Sequence, residues 1–181
     1  MANNSSDALQ RMVLPVFVTG GIDLKFDDAP EDLGPVLKEM FSARIRRIGR
    51  FIQLALIGAG RCVDGRELPK NTKLFLASGV GDIAVTEKVL ERIVRDRQAP
   101  KPLDFINTVS NAACFYMARQ FDIHGSSCTV SRSRLPMQAL LRMALQESRA
   151  GRSERALVGS VEVVSGRTDV HVKRVDPPDD A

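Results

Sequence analysis

Between Ser42 and Cys62 the apolar residues Ile45, Ile48, Phe51, Ile52, Leu54, Ala55 and Ile57 recur at helical spacing, with Arg44, Arg46, Arg47 and Arg50 interleaved. That spacing predicts a helix with an arginine-rich face. Lys73-Leu-Phe-Leu-Ala-Ser78 is a short apolar run closed by Gly79-Val-Gly81, which reads as a strand entering a tight turn. Val85, Val89, Ile93 and Val94 then place a helix from about Ile83 to Arg97, stopped by Pro100 and Pro102. A β-branched stretch, Cys128 to Ser131, leads through Ser133, a cap candidate, and Pro136, a first-turn residue, into a helix over Met137–Ala150. Its residues Met137, Leu140, Leu141, Met143, Ala144 and Leu145 cover much of the circumference, which predicts a largely buried helix with Gly151 as C-cap. Glu154 to Val164 follows as a short connection and a nearly continuous apolar strand of a buried sheet. This succession of helices and apolar strands predicts an α/β layered domain.

Length and composition narrow the picture. The 181 residues suit one domain, placed at 13–165, with a disordered tail over 1–12 and a flexible tail over 166–181 that ends in Pro177-Pro178-Asp-Asp. With 44% hydrophobic and 27% charged residues the chain has the make-up of a soluble globular protein. No apolar run approaches the roughly 20 residues that span a bilayer. The start, Met1-Ala-Asn-Asn-Ser-Ser-Asp7, lacks the basic flank and apolar stretch of an export signal, so the expectation is a cytoplasmic protein without membrane attachment. The net charge of +4 does not point to nucleic acid: the arginines are spread over several helices, there is one tyrosine and no tryptophan, and no nucleic-acid-binding module is present.

The chemistry-bearing residues are sparse. Cys62, Cys114 and Cys128 lie far apart without metal-ligand spacing and read as reduced thiols, and His124 and His171 are too scattered for a metal site. Gly79-Val-Gly81 lacks both the Gly-Lys-Ser/Thr ending of a phosphate loop and the third glycine of a dinucleotide fingerprint. No cofactor is expected. Ser131 and Ser133 flank the turn before the last helix, but a serine nucleophile needs a base beside it and none is near in sequence. Cys128 is the nearest thiol, several residues ahead of the helix. Asn107 and Asn111 stand around a helix start, as caps or as pocket groups.

Four segments together resemble the N-terminal half of β-ketoacyl synthases, and most closely the short, divergent chain-length factors of the thiolase-like superfamily found in polyketide and aryl polyene type clusters. They are Arg46-Arg-Ile-Gly-Arg-Phe-Ile-Gln-Leu-Ala55; Leu74-Phe-Leu-Ala-Ser-Gly-Val-Gly81; Pro102-Leu-Asp-Phe105 with Val109-Ser-Asn-Ala-Ala113; and Gly125-Ser-Ser-Cys-Thr-Val-Ser131 followed by the Arg134 helix and Ala156-Leu-Val-Gly-Ser160. The likeness runs from about Arg44 to Val164. It implies a layered half-fold, a mixed sheet of about five strands with helices on both faces.

The resemblance also implies where chemistry should be, and there this chain departs from it. Active ketosynthases carry a cysteine at the N-terminus of the helix after the turn, where the helix dipole favours a thiolate. Here that position is Arg134, whose guanidinium stays protonated and offers no nucleophilic lone pair. Arg134 reads either as a replacement left after catalysis was lost or as a cation for a carboxylate or phosphate at the site entrance. The histidines and lysine of the family's second half have no counterparts in the matched stretch. The implied function is a non-catalytic subunit that pairs with a full-length ketosynthase, or with itself, and shapes the partner's acyl tunnel. Cys128, Thr129, Val130 and Ser131 are then the expected interface edge. Two other readings are an acyltransferase or thioesterase using Ser133 or Cys128, and a regulatory module that holds an acidic acyl carrier protein through Arg44, Arg46, Arg47 and Arg50.

Overall fold

The computed structural model describes residues 17–26, 32–41, 45, 47–131, 134, 136–164 and 167–176. In chain order these form β1 (Phe17–Phe26), α1 (Gly34–Met40), α2 (Arg50–Val63), β2 (Lys73–Ser78), α3 (Ile83–Val94), α4 (Pro102–Asn107), α5 (Ala112–Gln120), β3 (Ser127–Ser131), α6 (Pro136–Arg149), β4 (Ala156–Val164) and β5 (Arg167–Asp176). The strands make one mixed sheet in the order β1-β5-β4-β2-β3. β2 runs parallel to both β3 and β4, while β5 is antiparallel to β4 and to β1.

Strand alternation sorts the core into two layers. Leu74 and Leu76 of β2 join Leu157 and Val161 of β4 against α1, α2 and α5. The intervening Phe75 and Ala77, with Ala156 and Val158, pack on Leu140 and Ala144 of α6. α2 is the most enclosed helix, burying Phe51, Ile52, Leu54 to Ala59, Cys62 and Val63. It stops at Asp64, a left-handed residue at φ 53° whose N–H donates to the Gly60 carbonyl, and Gly65 continues the turn at φ 71°. Lys73 at the start of β2 and Glu147 near the end of α6 form an ion pair that Arg152 completes, its Nη2 lying 2.6 Å from Glu147 Oε1.

Three expectations change. The helix expected from Ser42 begins only at Arg50: Gly49 is its N-cap and Arg47 is left-handed at φ 58°. A carboxylate from α3 occupies the space beside Gly49, as described below, and a longer helix would run into it. The flexible tail expected from residue 166 is instead β5, registered from Val164↔Arg167 to Ala156↔Val175. β5 has neighbours on both sides, and their backbones satisfy its hydrogen bonds whatever its side chains. β1 lies within the expected domain but was not expected as a strand. The tail residues 1–12 and 177–181 fall outside the described residues. Among those described, no helix is long and apolar enough to cross a membrane.

Candidate functional site

The turn between β3 and α6 is the place the sequence singles out. β3 is an edge strand, in register with β2 from Leu74↔Ser127 to Ser78↔Ser131. Pro136 opens α6 and Arg134 stands exposed just ahead of it. A cation before a helix N-terminus opposes the helix dipole, where a thiol would have been activated by it. Ser133 falls outside the described residues, and Ser131 is exposed at the end of β3.

β3 presents different residues to the two layers. Cys128 and Val130 are half-buried against the α6 cluster. Thr129 faces the other way, with its hydroxyl 3.5 Å from the Cys114 thiol. Burial pushes the Cys114 thiol up, against the weaker pull of the Thr129 hydrogen bond, so it stays protonated at neutral pH. None of Cys62, Cys114 and Cys128 is in a disulfide. Among the described residues no three His, Cys, Asp or Glu side chains are grouped as metal ligands.

The glycine turn after β2 is already occupied. Glu162 of β4 accepts from the Gly79 N–H and from Ser78 Oγ, and Ser78 Oγ accepts from the Gly81 N–H at 2.8 Å. The amides that would cradle a phosphate are committed to protein groups, one of them a carboxylate. Gly81, at φ 62°, supplies the left-handed step that reverses the chain into α3.

Beyond that turn lies a small cavity of about 100 Å³, lined in part by Ser78, Asp82, Asn107, Thr129 and Ser131. Asp82, only 7% exposed, is the N-cap of α3: its Oδ1 accepts from the Val85 N–H at 3.3 Å. Oδ2 points at Gly49, and a Cβ built there would lie 1.7 Å from it. Burial pushes the Asp82 carboxyl up, while the N–H groups of Val85 and Phe51 pull it down. Asn107, 5% exposed, donates from Nδ2 to the Arg47 carbonyl at 3.0 Å. Read from the sequence as a helix-start cap or a pocket group, Asn107 ends α4, lines this cavity and tethers the chain ahead of α2, while Asn111 stands at the N-cap of α5 without a side-chain cap bond. The Asp82 cap is legible in the sequence, since an aspartate precedes an apolar-periodic run. Its approach to α2 is not, because it depends on how α3 folds back.

The two described arginines of this set do not share a helix face. Arg47 is exposed ahead of α2, Arg50 opens that helix half-buried, and Arg44 and Arg46 fall outside the described residues. Arg47 lines an open cleft of about 650 Å³ between α2 and the α3–α4 pair, together with Lys88, Lys101 and Asp104. Lys88 and Asp104 pair across it at 3.4 Å. Several apolar side chains are exposed, among them Val80, Phe105, Ile106 and Val109, and Phe115 on α5.

No family model matches the sequence, and no curated protein does. Solved structures do share its fold. The ishigamide ketosynthase/chain length factor is 15% identical, with a TM-score of 0.66 over 80% of this chain and 48% of that one. The type II PKS complex AntDE:AntF, an acyl-carrier protein with its ketosynthase bound to the hexaketide, gives 14% identity and a TM-score of 0.67 over 90% and 58%. The ketosynthase ApeO in complex with its chain length factor ApeC, from Xenorhabdus doucetiae, gives 12% and 0.67 over 90% and 79%. The chain thus spans about half the length of the first two matched chains and about four fifths of the third. At such identities the likeness is one of fold, and the fold is that of ketosynthase and chain-length-factor chains.

Proposed function

We propose that this chain is a non-catalytic, chain-length-factor-like subunit that pairs with an active β-ketoacyl synthase in bacterial fatty acid or polyketide assembly of the aryl polyene type. On this reading it is a thiolase-like half-fold equivalent to the N-terminal half of a ketosynthase. The observation that carries it is the pairing of that fold with an exposed sheet edge beside exposed apolar side chains. Among the described strands β3 has one neighbour, β2; Val80 and Val109 line a cavity with its Thr129 and Ser131 and are exposed, as are Phe115 on the adjoining α5 and Phe105 and Ile106 on α4. A monomer leaves neither an open edge nor an apolar patch of this kind uncovered without cost. Cys128 to Ser131 would extend a partner's sheet, and the apolar residues of α4 would bound its acyl tunnel. Arg134 at the nucleophile position supports a steric role, since it cannot take an acyl group.

Tagged chain recovered from its native lysate should bring down a full-length ketosynthase in stoichiometric amount, identified by mass spectrometry. Recovery of a second copy alone would make the assembly a homodimer. The reading fails if the purified chain by itself condenses acyl and malonyl thioesters on a carrier protein.

The cleft lined by Arg47, Lys88 and Lys101 favours a second role beside the first, as a contact for an acidic acyl carrier protein. Such binding should weaken steeply as salt rises from low to physiological strength.

A further inference from the structure

The α3–α4 pair stands apart from the rest of the molecule. The two helices pack chiefly on each other. Of the twelve residues of α3 only Val89 is buried, and of the six of α4 only Asn107. Leu90, Ile93, Val94, Leu103, Phe105 and Ile106 are all exposed. Beneath the pair runs the cleft of about 650 Å³ that separates it from Arg47, Ile48 and Gly49. So little apolar contact across this boundary cannot by itself hold the pair in one place.

Two buried polar side chains span the gap. Asp82 caps α3 with one oxygen and turns the other onto Gly49 at the head of α2, where the Phe51 N–H pulls on the carboxyl but no described residue makes a hydrogen bond to that oxygen. The last residue of α4, Asn107, holds the Arg47 carbonyl, and its own Oδ1 is buried without a partner among the described residues. Leaving such atoms half-satisfied destabilises the fold. Both contacts end on the same three residues, Arg47 to Gly49, so the two ends of the α3–α4 unit are pinned to one short stretch of chain.

We infer that Asp82 and Asn107 are positioning residues that set the α3–α4 unit at a defined height over the body, and with it the apolar face offered to a ketosynthase partner. The second clause rests on the function proposed above; the tether itself does not. Asn107→Ala removes the only donor to the Arg47 carbonyl from this unit. Asp82→Asn keeps the size of the side chain and an oxygen for the α3 cap, but removes the charge that faces the head of α2.

Hydrogen exchange followed by mass spectrometry on the full chain reads the tether directly. Asn107→Ala should speed exchange in peptides covering α3 and α4 by about tenfold, the effect of losing one buried hydrogen bond, and Asp82→Asn, which keeps the Oδ1 cap, should speed it less. Exchange in β2, β4 and the second half of α2 should stay at the wild-type rate, which also shows that the variants fold. Unchanged rates in α3–α4, or a uniform rise over the whole molecule, would overturn the tether. In the complex with the recovered ketosynthase, the same variants should broaden the distribution of product chain lengths. An unaltered distribution beside faster α3–α4 exchange would overturn the specificity role and leave the tether standing. Failure of wild type to recover any ketosynthase would remove the function proposed above, and that role with it, whereas the exchange result would still decide the tether.

Discussion

Gly49→Ala isolates the close approach of Asp82 to the head of α2. At φ −69° and ψ 164° the backbone of Gly49 lies in the extended region that alanine adopts freely. The unfolded-state entropy of the replacement would by itself stabilise the protein by about 0.4–1 kcal/mol. Against this, the new Cβ would stand 1.7 Å from Asp82 Oδ2, 2.8 Å from its Cγ and 3.0 Å from Val85 Cγ2. Asp82 is buried and hydrogen-bonded, so the carboxylate must swing away and surrender the cap of α3, a loss of about 1 kcal/mol. Crowding against Val85 and the displaced carboxylate adds about 1–3 kcal/mol. The net is a destabilisation of about 1–3 kcal/mol, or a fall in Tm of roughly 2–12 °C for a chain of this size. Urea unfolding of wild type, Gly49→Ala, Asp82→Ala and the double variant gives the coupling between the two sites. With the carboxylate already gone, the Gly49 replacement should cost less by at least about 1 kcal/mol. Equal penalties in the two backgrounds would refute the reasoning, since the cost would then have nothing to do with Asp82.

Other sites should respond on different physical grounds. Gly125→Ala should destabilise more than Gly49→Ala, because its Cβ would meet the backbone carbonyl oxygens of Thr72 and Asn71 at 2.2 and 2.6 Å and no side chain can yield; a smaller drop in Tm would contradict this. Leu140→Ala opens a cavity where α6 meets Phe75, Ala77 and Val158, at a cost of about 2–5 kcal/mol in urea unfolding with the sheet otherwise intact. Arg152 and then Lys73 hold the Glu147 carboxyl down at about 2 from its ordinary 4.5. Because the folded value is depressed, the stability it contributes is complete above pH 4.5 and is lost as the pH falls through 2. Glu147→Gln should therefore flatten the acid side of the stability profile, and an unchanged slope between pH 5 and 2 would show the triad to be ornamental.

Where a run of the chain is decided by its own periodicity, the sequence and the structure agree closely. Lys73–Ser78 is read as a strand and is one; the helices read from Ile83 and from Met137 differ from α3 and α6 by a few residues at their ends, but α6, expected to be largely buried, buries only Leu140 and Ala144. The Gly79–Gly81 turn belongs to the same class, because it follows from residues within a few positions of one another. Tertiary structure decided what depends on distant partners. α2 starts at Arg50, although its apolar spacing extends back to Ile45, because a carboxylate 33 positions along the chain lies against Gly49. β5 is expected as a tail, although Thr168, Val170 and Val172 alternate with Asp169, His171 and Lys173 as in a strand; that β1 and β4 pair with it on both sides only the fold shows. The thiols and arginines were visible as residue types, but only the layers separated Cys128 from Cys114 and took Arg47 off the helix. The physical reason is the same throughout: backbone preference and hydrophobic period act over a turn or a strand, whereas burial, capping between elements and sheet pairing act between groups that only the completed fold brings together.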